Sequence, residues 1–184
     1  MKTDSLGQTL VESLNNAELW IRQAEQQFLV AEAIAPKIGK RATTEADNLL
    51  KVGYLKTTSL LLALSVENSF KAIKASRNEL SVDTKGLIKT ARGGGSTGHS
   101  LIDLADEVQF SLNSQQVNLL KKLTAIGIWA GKYHSPIRHD EFEKSNKDNP
   151  KSITLPHDIR IVKEVILECA LSAKVQSAIA LQIT

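Results

Sequence analysis

Apolar residues recur at alternating spacings of three and four in every long segment of the chain, and no segment sustains a period of two. This pattern predicts helices that each carry one apolar stripe and pack almost parallel to their neighbours. The first stripe consists of Leu14, Ala17, Ile21, Ala24, Phe28, Ala31 and Ala35. It predicts a helix from about Leu10 to Ala35, which Pro36 and Gly39 would end.

The second predicted helix is the longest and runs to about Arg77. It begins with a capping box formed by Thr44 and Asp47. Its middle, Leu60 to Leu64, is apolar on every face, which predicts a place at the centre of the bundle. A helix of this length would extend roughly 50 Å, so we expect an elongated bundle.

Two shorter helices follow a connection that contains several glycines. Ser100 and Asp103 form a second capping box, which predicts a short helix that ends near Val108. The next helix begins at Ser114 and carries its apolar residues inward as far as Ile126.

The last predicted helix begins near Pro156 and runs almost to the C-terminus. It carries two apolar stripes, which are Ile159, Val162, Ile166, Cys169 and Ala173, and Ile161, Val165, Leu171, Val175 and Ile179. A helix that is apolar on two sides either lies between other helices or forms a dimer interface. The whole pattern predicts an all-α, elongated, up-and-down bundle of about five helices, with the second and last the longest and no sheet.

Composition agrees with one helical domain that spans residues 1–184. Hydrophobic residues make up 42% of the chain but aromatic residues only 4%, so its core must be mainly Leu, Ile, Val and Ala. The formal net charge of +3 permits an anionic partner without requiring one. The single cysteine, Cys169, excludes an internal disulfide, and its apolar surroundings predict a buried, inert thiol.

No membrane segment is predicted from the sequence. The chain opens with polar residues and not with the apolar run of a signal peptide. The longest unbroken apolar run, Leu60 to Leu64, is too short to cross a bilayer. We therefore expect a cytoplasmic protein without a membrane partner.

Glu67 and Lys71 interrupt the apolar pattern directly after the centre of the second helix. One interpretation is an exposed ion pair at i and i+4, which stabilises a helix by a few tenths of a kcal/mol. The other is a carboxylate partly inside the bundle that orients a basic group. The sequence leaves both open.

A second candidate is the glycine-rich stretch from Arg92 to His99. It could serve as a flexible connector, or it could cradle an anion before a helix N-terminus. The Gly-Lys-Ser/Thr ending of a P-loop is missing, which argues against nucleotide hydrolysis of that type.

A third candidate, from Trp129 to His139, gathers two aromatic residues, cations and two of the four histidines: Trp129, Lys132, Tyr133, His134, Arg138 and His139. Aromatic side chains interleaved with cations suit stacking on bases and contacts with phosphates. The alternative is a Trp/Tyr plug that closes the end of the bundle. The histidines lack the His-Glu-x-x-His spacing, so neither a metal site nor a cofactor is predicted.

Three segments, in order along the chain, resemble the HEPN superfamily. The stretch from Ala63 to Ala72 resembles its second-helix pattern, an apolar run followed by Glu, three residues and Lys. Gly98-His99-Ser100-Leu101 resembles a Gly-His-Asp-Leu segment of one bacterial branch, and Ile128 to Tyr133 resembles that branch's Trp-x-Gly-Arg-Tyr stretch. The resemblance implies a helical bundle that is commonly a homodimer.

The resemblance also implies an activity. Many HEPN proteins are metal-independent endoribonucleases of toxin–antitoxin, phage-defence and CRISPR-associated systems, and others bind RNA, nucleotides or partner proteins without catalysis. Their hallmark is an Arg, usually followed by a polar residue, and then a His after four to six intervening residues. Arg92 with His99 matches that spacing but has Gly93 as the next residue, and Lys132 with His139 matches it with Lys in place of Arg.

These expectations combine into one hypothesis with one alternative. The chain is expected to bind RNA or to cleave it as a metal-independent endoribonuclease of a prokaryotic defence or toxin–antitoxin system. His139, His134, Lys132 and Arg138 would be the catalytic group, with Trp129, Tyr133, Glu67 and Lys71 binding substrate. The alternative is a non-catalytic module that binds a nucleotide or a partner protein, such as a cognate antitoxin.

Overall fold

The protein is an all-α helical bundle, as the periodicity predicted. The computed structural model describes residues 11–82, 88–89, 100–127 and 155–180. The elements are α1 (Ala17–Ile38), α2 (Glu45–Ser76), β1 (Ser81–Val82), β2 (Ile88–Lys89), α3 (Leu101–Glu107), α4 (Ser114–Ala125) and α5 (His157–Ser172).

The predicted first helix is broken near its start, and it continues past Ala35 and Pro36 to Ile38, where Gly39, one of the two predicted stop residues, is the C-cap. Residues 11–14 are helical, but the chain breaks at Asn15 and restarts at Ala17. The Asn15 side chain bonds both backbone groups of Leu80, and the Asn16 side chain accepts a hydrogen bond from the N–H of Glu18. Asparagine side chains that bond to backbone in this way compete with the helix and favour a cap. Pro36 lies inside the last turn.

Helix α2 begins where the sequence predicted, because its cap is complete. Thr44 accepts a hydrogen bond from the N–H of Asp47, and the Asp47 carboxylate accepts one from the N–H of Thr44. The 32 residues of α2 extend about 48 Å. α2 packs along α1 as an antiparallel hairpin, and its buried side chains begin only at Thr58.

The core surrounds the second half of α2, against which α1, α3, α4 and α5 all pack. Both apolar stripes of α5 are covered within the chain, since Val162, Val165 and Ile166 are fully buried. Leu171 is the exception, because 77% of it is exposed.

The last helix is shorter than predicted. Ser172 is its final residue, so α1 and not α5 is the second-longest helix among the described elements. Lys174 adopts a positive φ of 58°, and the N–H of Val175 bonds to the carbonyl of Ala170, which closes a Schellman motif. The chain then turns back, and Ser177 donates a 2.6 Å hydrogen bond to the buried Glu25 of α1.

One local feature was not foreseen. Ser81–Val82 and Ile88–Lys89 pair antiparallel, with Ser81 opposite Lys89 and Val82 opposite Ile88. Each strand has only two residues, so this pairing belongs to the connection between two helices and does not form a layer of the fold.

Helix Glu45–Ser76 is long and apolar enough, by those two measures, to cross a bilayer, and no other helix among the described residues is. A third of its most apolar window, 33%, is buried against the rest of the fold. The expectation from Leu60–Leu64 considered only the unbroken apolar run. A core helix of a water-soluble protein passes the same test, so the cytoplasmic location stays a prediction.

Candidate functional site

Of the predicted site residues, the structure describes Glu67 and Lys71, which lie together on α2. The others fall outside the described residues: Arg92, His99, Trp129, Lys132, Tyr133, His134, Arg138 and His139. The chain enters the 128–154 segment from Gly127, which lies against Ala63; a methyl group on Gly127 would stand 3.5 Å from the Ala63 Cβ. Ala63 precedes Glu67 by one helical turn.

The Glu67–Lys71 pair is inside the bundle and not on its surface. Lys71 Nζ lies 2.6 Å from Glu67 Oε1, and the two side chains are only 13% and 7% exposed, respectively. The interpretation as an exposed ion pair is therefore wrong. Removing two charges from water costs free energy, and their mutual attraction offsets that cost only when the geometry is good. Stability alone therefore does not explain why this pair is buried.

A tryptophan from α1 covers the lysine of this pair. Lys71 Nζ lies 5.3 Å from the centre of the Trp20 ring, within the range of a cation–π interaction. The Trp20 indole N–H donates a 2.7 Å hydrogen bond to the carbonyl of Leu14, which fixes the ring. Sequence reasoning missed Trp20 because it lies beside the apolar stripe of α1; the only signal was its rarity in an aromatic-poor chain.

A second ion pair continues the row along the same side of α2. Lys74 follows Lys71 by three residues, is almost fully buried, and contacts Glu107 Oε2 of α3 at 2.5 Å. Positions i, i+4 and i+7 share one face of a helix, so Glu67, Lys71 and Lys74 form one line of charges. No sequence pattern joined Lys74 to Glu107, since 33 residues separate them.

These residues are suited to binding and positioning an anion, and they do not by themselves form a catalytic group. Glu67 and Trp20 hold the Lys71 ammonium in one place, and the lysine remains partly open to solvent. A fixed ammonium is a point charge that can contact a phosphate. We name Glu67, Lys71 and Trp20 the lysine site.

Other chemistry has little support in the described residues. Cys169 is fully buried, and burial raises the pKa of its thiol well above its usual value, with the Glu168 charge adding to the effect. It is therefore a protonated, inert thiol, as predicted. No three His, Cys, Asp or Glu side chains within the described ranges come together in a group that could hold a metal ion.

Comparison with protein-family models, with curated proteins and with solved structures finds no match to this chain. The resemblance to the HEPN superfamily therefore rests on the sequence segments that carry it.

Proposed function

We propose that this protein is a HEPN-like RNA-binding protein that cleaves RNA without a metal ion, in a prokaryotic defence or toxin–antitoxin system. The observation that carries the proposal is the buried lysine site on the longest helix. A charged pair in that position is expensive to bury, and the HEPN-like pattern of α2 puts a Glu and a Lys at these two places. The lysine site also lies one turn from where the chain enters the 128–154 segment.

In this proposal the lysine site and the Trp129–His139 segment act on one phosphate. Lys71 contacts a phosphate oxygen, while Lys132 and Arg138 supply further contacts and Trp129 or Tyr133 a stacking surface; this division of roles is the one the sequence predicted.

The reaction is transfer of the phosphate to the neighbouring 2′-oxygen. His134 or His139 accepts the proton of the 2′-hydroxyl as its oxygen attacks phosphorus. The bond from phosphorus to the 5′-oxygen breaks, and the leaving oxygen takes up a proton. The products end in a cyclic 2′,3′-phosphate and a 5′-hydroxyl.

The test is cleavage of labelled RNA by the purified protein in the presence of EDTA. We expect fragments that end in cyclic phosphate, and at least a hundredfold slower cleavage by His139→Ala and by His134→Ala. The matched control is His157→Ala, since His157 lies at the start of α5 and contacts Arg160 outside this centre. Loss of cleavage in the control as well would point to unfolding.

The competing centre is Arg92 with His99, and the same assay distinguishes the two. If Arg92→Ala and His99→Ala abolish cleavage while His134 and His139 are dispensable, the glycine-rich stretch carries the reaction. Should none of the four variants change cleavage, the ribonuclease proposal fails.

A non-catalytic interaction module is the second candidate, and exposed apolar side chains favour it. Leu49, Leu50 and Val52 are all more than half exposed on the first turns of α2. Apolar residues gathered in this way mark protein interaction surfaces. The partner would be a second copy of this chain, which would make a homodimer, or a cognate antitoxin or defence protein. RNA bound but left intact, at every time point, would favour this candidate.

A further inference from the structure

A basic cleft lies at the end of the α1–α2 hairpin, where α1 ends and α2 begins. Its volume is about 470 Å³, and its charged and aromatic lining consists of Lys37, Lys40, Arg41, Asp47, Lys51 and Tyr54. Pockets that bind small molecules have volumes of about 300–1,000 Å³, so the basic cleft has the size of a ligand site.

Positive charge is concentrated in the basic cleft. Four cations and one carboxylate line it, a formal net charge of +3, and the entire chain also has a formal net charge of +3. The ion pairs among the described residues include none of these four cations. Elsewhere the exposed cations Arg22 and Arg160 do pair with carboxylates.

The single carboxylate is already engaged by the cap of α2. Asp47 Oδ2 accepts hydrogen bonds from the Thr43 hydroxyl at 2.8 Å and from the N–H groups of Thr43 and Thr44, both at 3.0 Å. These bonds, led by the one from the Thr43 hydroxyl, lower the pKa of Asp47 to about 2. Asp47 is thus held by the backbone and is not directed at a lysine.

Helix stabilisation explains only one of the four cations. Lys37 lies in the last turn of α1, where a positive charge favours the helix dipole, and its Nζ lies 5.4 Å from the centre of the Tyr54 ring. Lys40 and Arg41 lie in the connection between α1 and α2, and Lys51 of α2 lines the basic cleft with them. No described contact explains why these three cations share a cleft.

We propose that the basic cleft binds phosphate groups, carried either by a free nucleotide or by the backbone of single-stranded RNA. Converging Lys and Arg side chains are the usual protein ligands of phosphate. Lys51 and Glu67 are sixteen residues apart on one helix, or about 24 Å, so the basic cleft is separate from the lysine site. The proposal does not depend on cleavage, and the binding test uses RNA that cannot be cleaved.

The experiment measures binding of ATP by calorimetry and of a labelled 2′-O-methyl oligoribonucleotide by fluorescence anisotropy. The test variant is Lys40→Ala with Arg41→Ala. Its matched control is Arg22→Ala with Lys121→Ala, which removes one Arg and one Lys from exposed positions outside the basic cleft. Both variants lose the same charge.

We expect at least one probe to bind the wild-type protein and the test variant to bind it about tenfold more weakly near 0.1 M salt. If the probe is the oligonucleotide, the slope of log K against log salt should also become shallower by about 1.4, since each single-strand phosphate contact contributes about 0.7.

Three outcomes distinguish the ligands and the proposal. Binding of ATP lost in the test variant supports a nucleotide site, and binding of the oligonucleotide alone supports an RNA backbone site. Equal losses in the test and control variants would mean that only the overall charge matters, and the proposal would be overturned. Binding of neither probe, or unchanged binding by the test variant, would also overturn it.

Discussion

Two helical ion pairs of the same spacing show how strongly burial changes the role of a charged residue. Glu18 and Arg22 lie 3.1 Å apart on α1, and both side chains are more than 60% exposed. Glu67 and Lys71 have the same i, i+4 relation on α2 but are largely buried. An exposed pair is screened by water and contributes little, whereas loss of one partner from a buried pair leaves a charge without its counterpart.

This difference predicts unequal effects of one substitution. Glu67→Gln should lower the free energy of unfolding by about 2–3 kcal/mol, because the Lys71 charge stays buried without its carboxylate. Glu18→Gln should lower it by less than about 0.5 kcal/mol. Urea unfolding at one protein concentration measures both. Equal losses would show that Glu67 is as solvated as Glu18.

The cap of α2 predicts a specific pH dependence. The pKa of Asp47 is lowered from 3.8 to about 2 in the folded protein, chiefly by the Thr43 hydroxyl. A lowered folded-state pKa gives stability that is complete above the unfolded value and is lost as the pH falls through the folded value. The stability difference between the wild type and Asp47→Asn should therefore be constant above about pH 4 and shrink towards pH 2. Carboxyl carbon NMR can follow Asp47 directly, and a midpoint near 3.8 would contradict the cap.

At the scale of elements, α2 and α3 end within one residue of the predicted Arg77 and Val108, and both begin at predicted caps. The break before α1 and the early end of α5 could not be predicted from the sequence. Thr44 and Ser100 were recognised as caps, and each accepts a hydrogen bond from the N–H three residues on. Three helices end in Schellman motifs whose left-handed residues are Asn78, Gln109 and Lys174. Glycine is the usual residue at such a position, and none of these three ends has one.

The candidate site also contains residues that the sequence predicted and residues that it did not. Glu67 and Lys71 are four residues apart on one helix, so the sequence alone placed them on one face. Trp20 and Glu107 reach this row from α1 and α3, and such contacts depend on how helices pack. The spacing of residues within one helix does not predict which residues of other helices contact it.

Helix α2 contains a glycine that nothing in the described structure requires. A methyl group on Gly53 would meet no atom within 4 Å. Gly53→Ala should therefore raise the free energy of unfolding by about 0.5–1 kcal/mol, since alanine favours the helix and restricts the unfolded chain. Gly127→Ala is the comparison, because its methyl group would meet Ala63 and the gain should be smaller. Thermal unfolding of dilute protein measures both, and destabilisation by Gly53→Ala would reveal a close neighbour at this position.

At the scale of the whole molecule, the first turns of α2 expose apolar side chains and partly bury polar ones, the reverse of what a helix surrounded by water requires. Asp47, Lys51 and Tyr54 are the half-buried residues there, while Leu49 and Val52 are exposed. Gly53, the exposed Lys56 and the half-buried Leu60 and Leu64 continue this outward side at spacings of three and four. Such spacing suits packing against another helix. The dimer predicted from the second stripe of α5 has less surface to use, since most of that stripe is covered within the chain.

We therefore expect a homodimer that pairs through this outward side of α2. Light scattering should give about twice the chain mass of 20.1 kDa at tens of micromolar. Leu49→Glu should convert the dimer to a monomer, because a carboxylate would be buried against the partner's apolar row. Leu171→Glu is the matched control, since Leu171 is the exposed leucine of α5. If only Leu171→Glu disrupts the dimer, the interface lies on α5 and not on α2. A monomeric wild-type protein would contradict the predicted dimer.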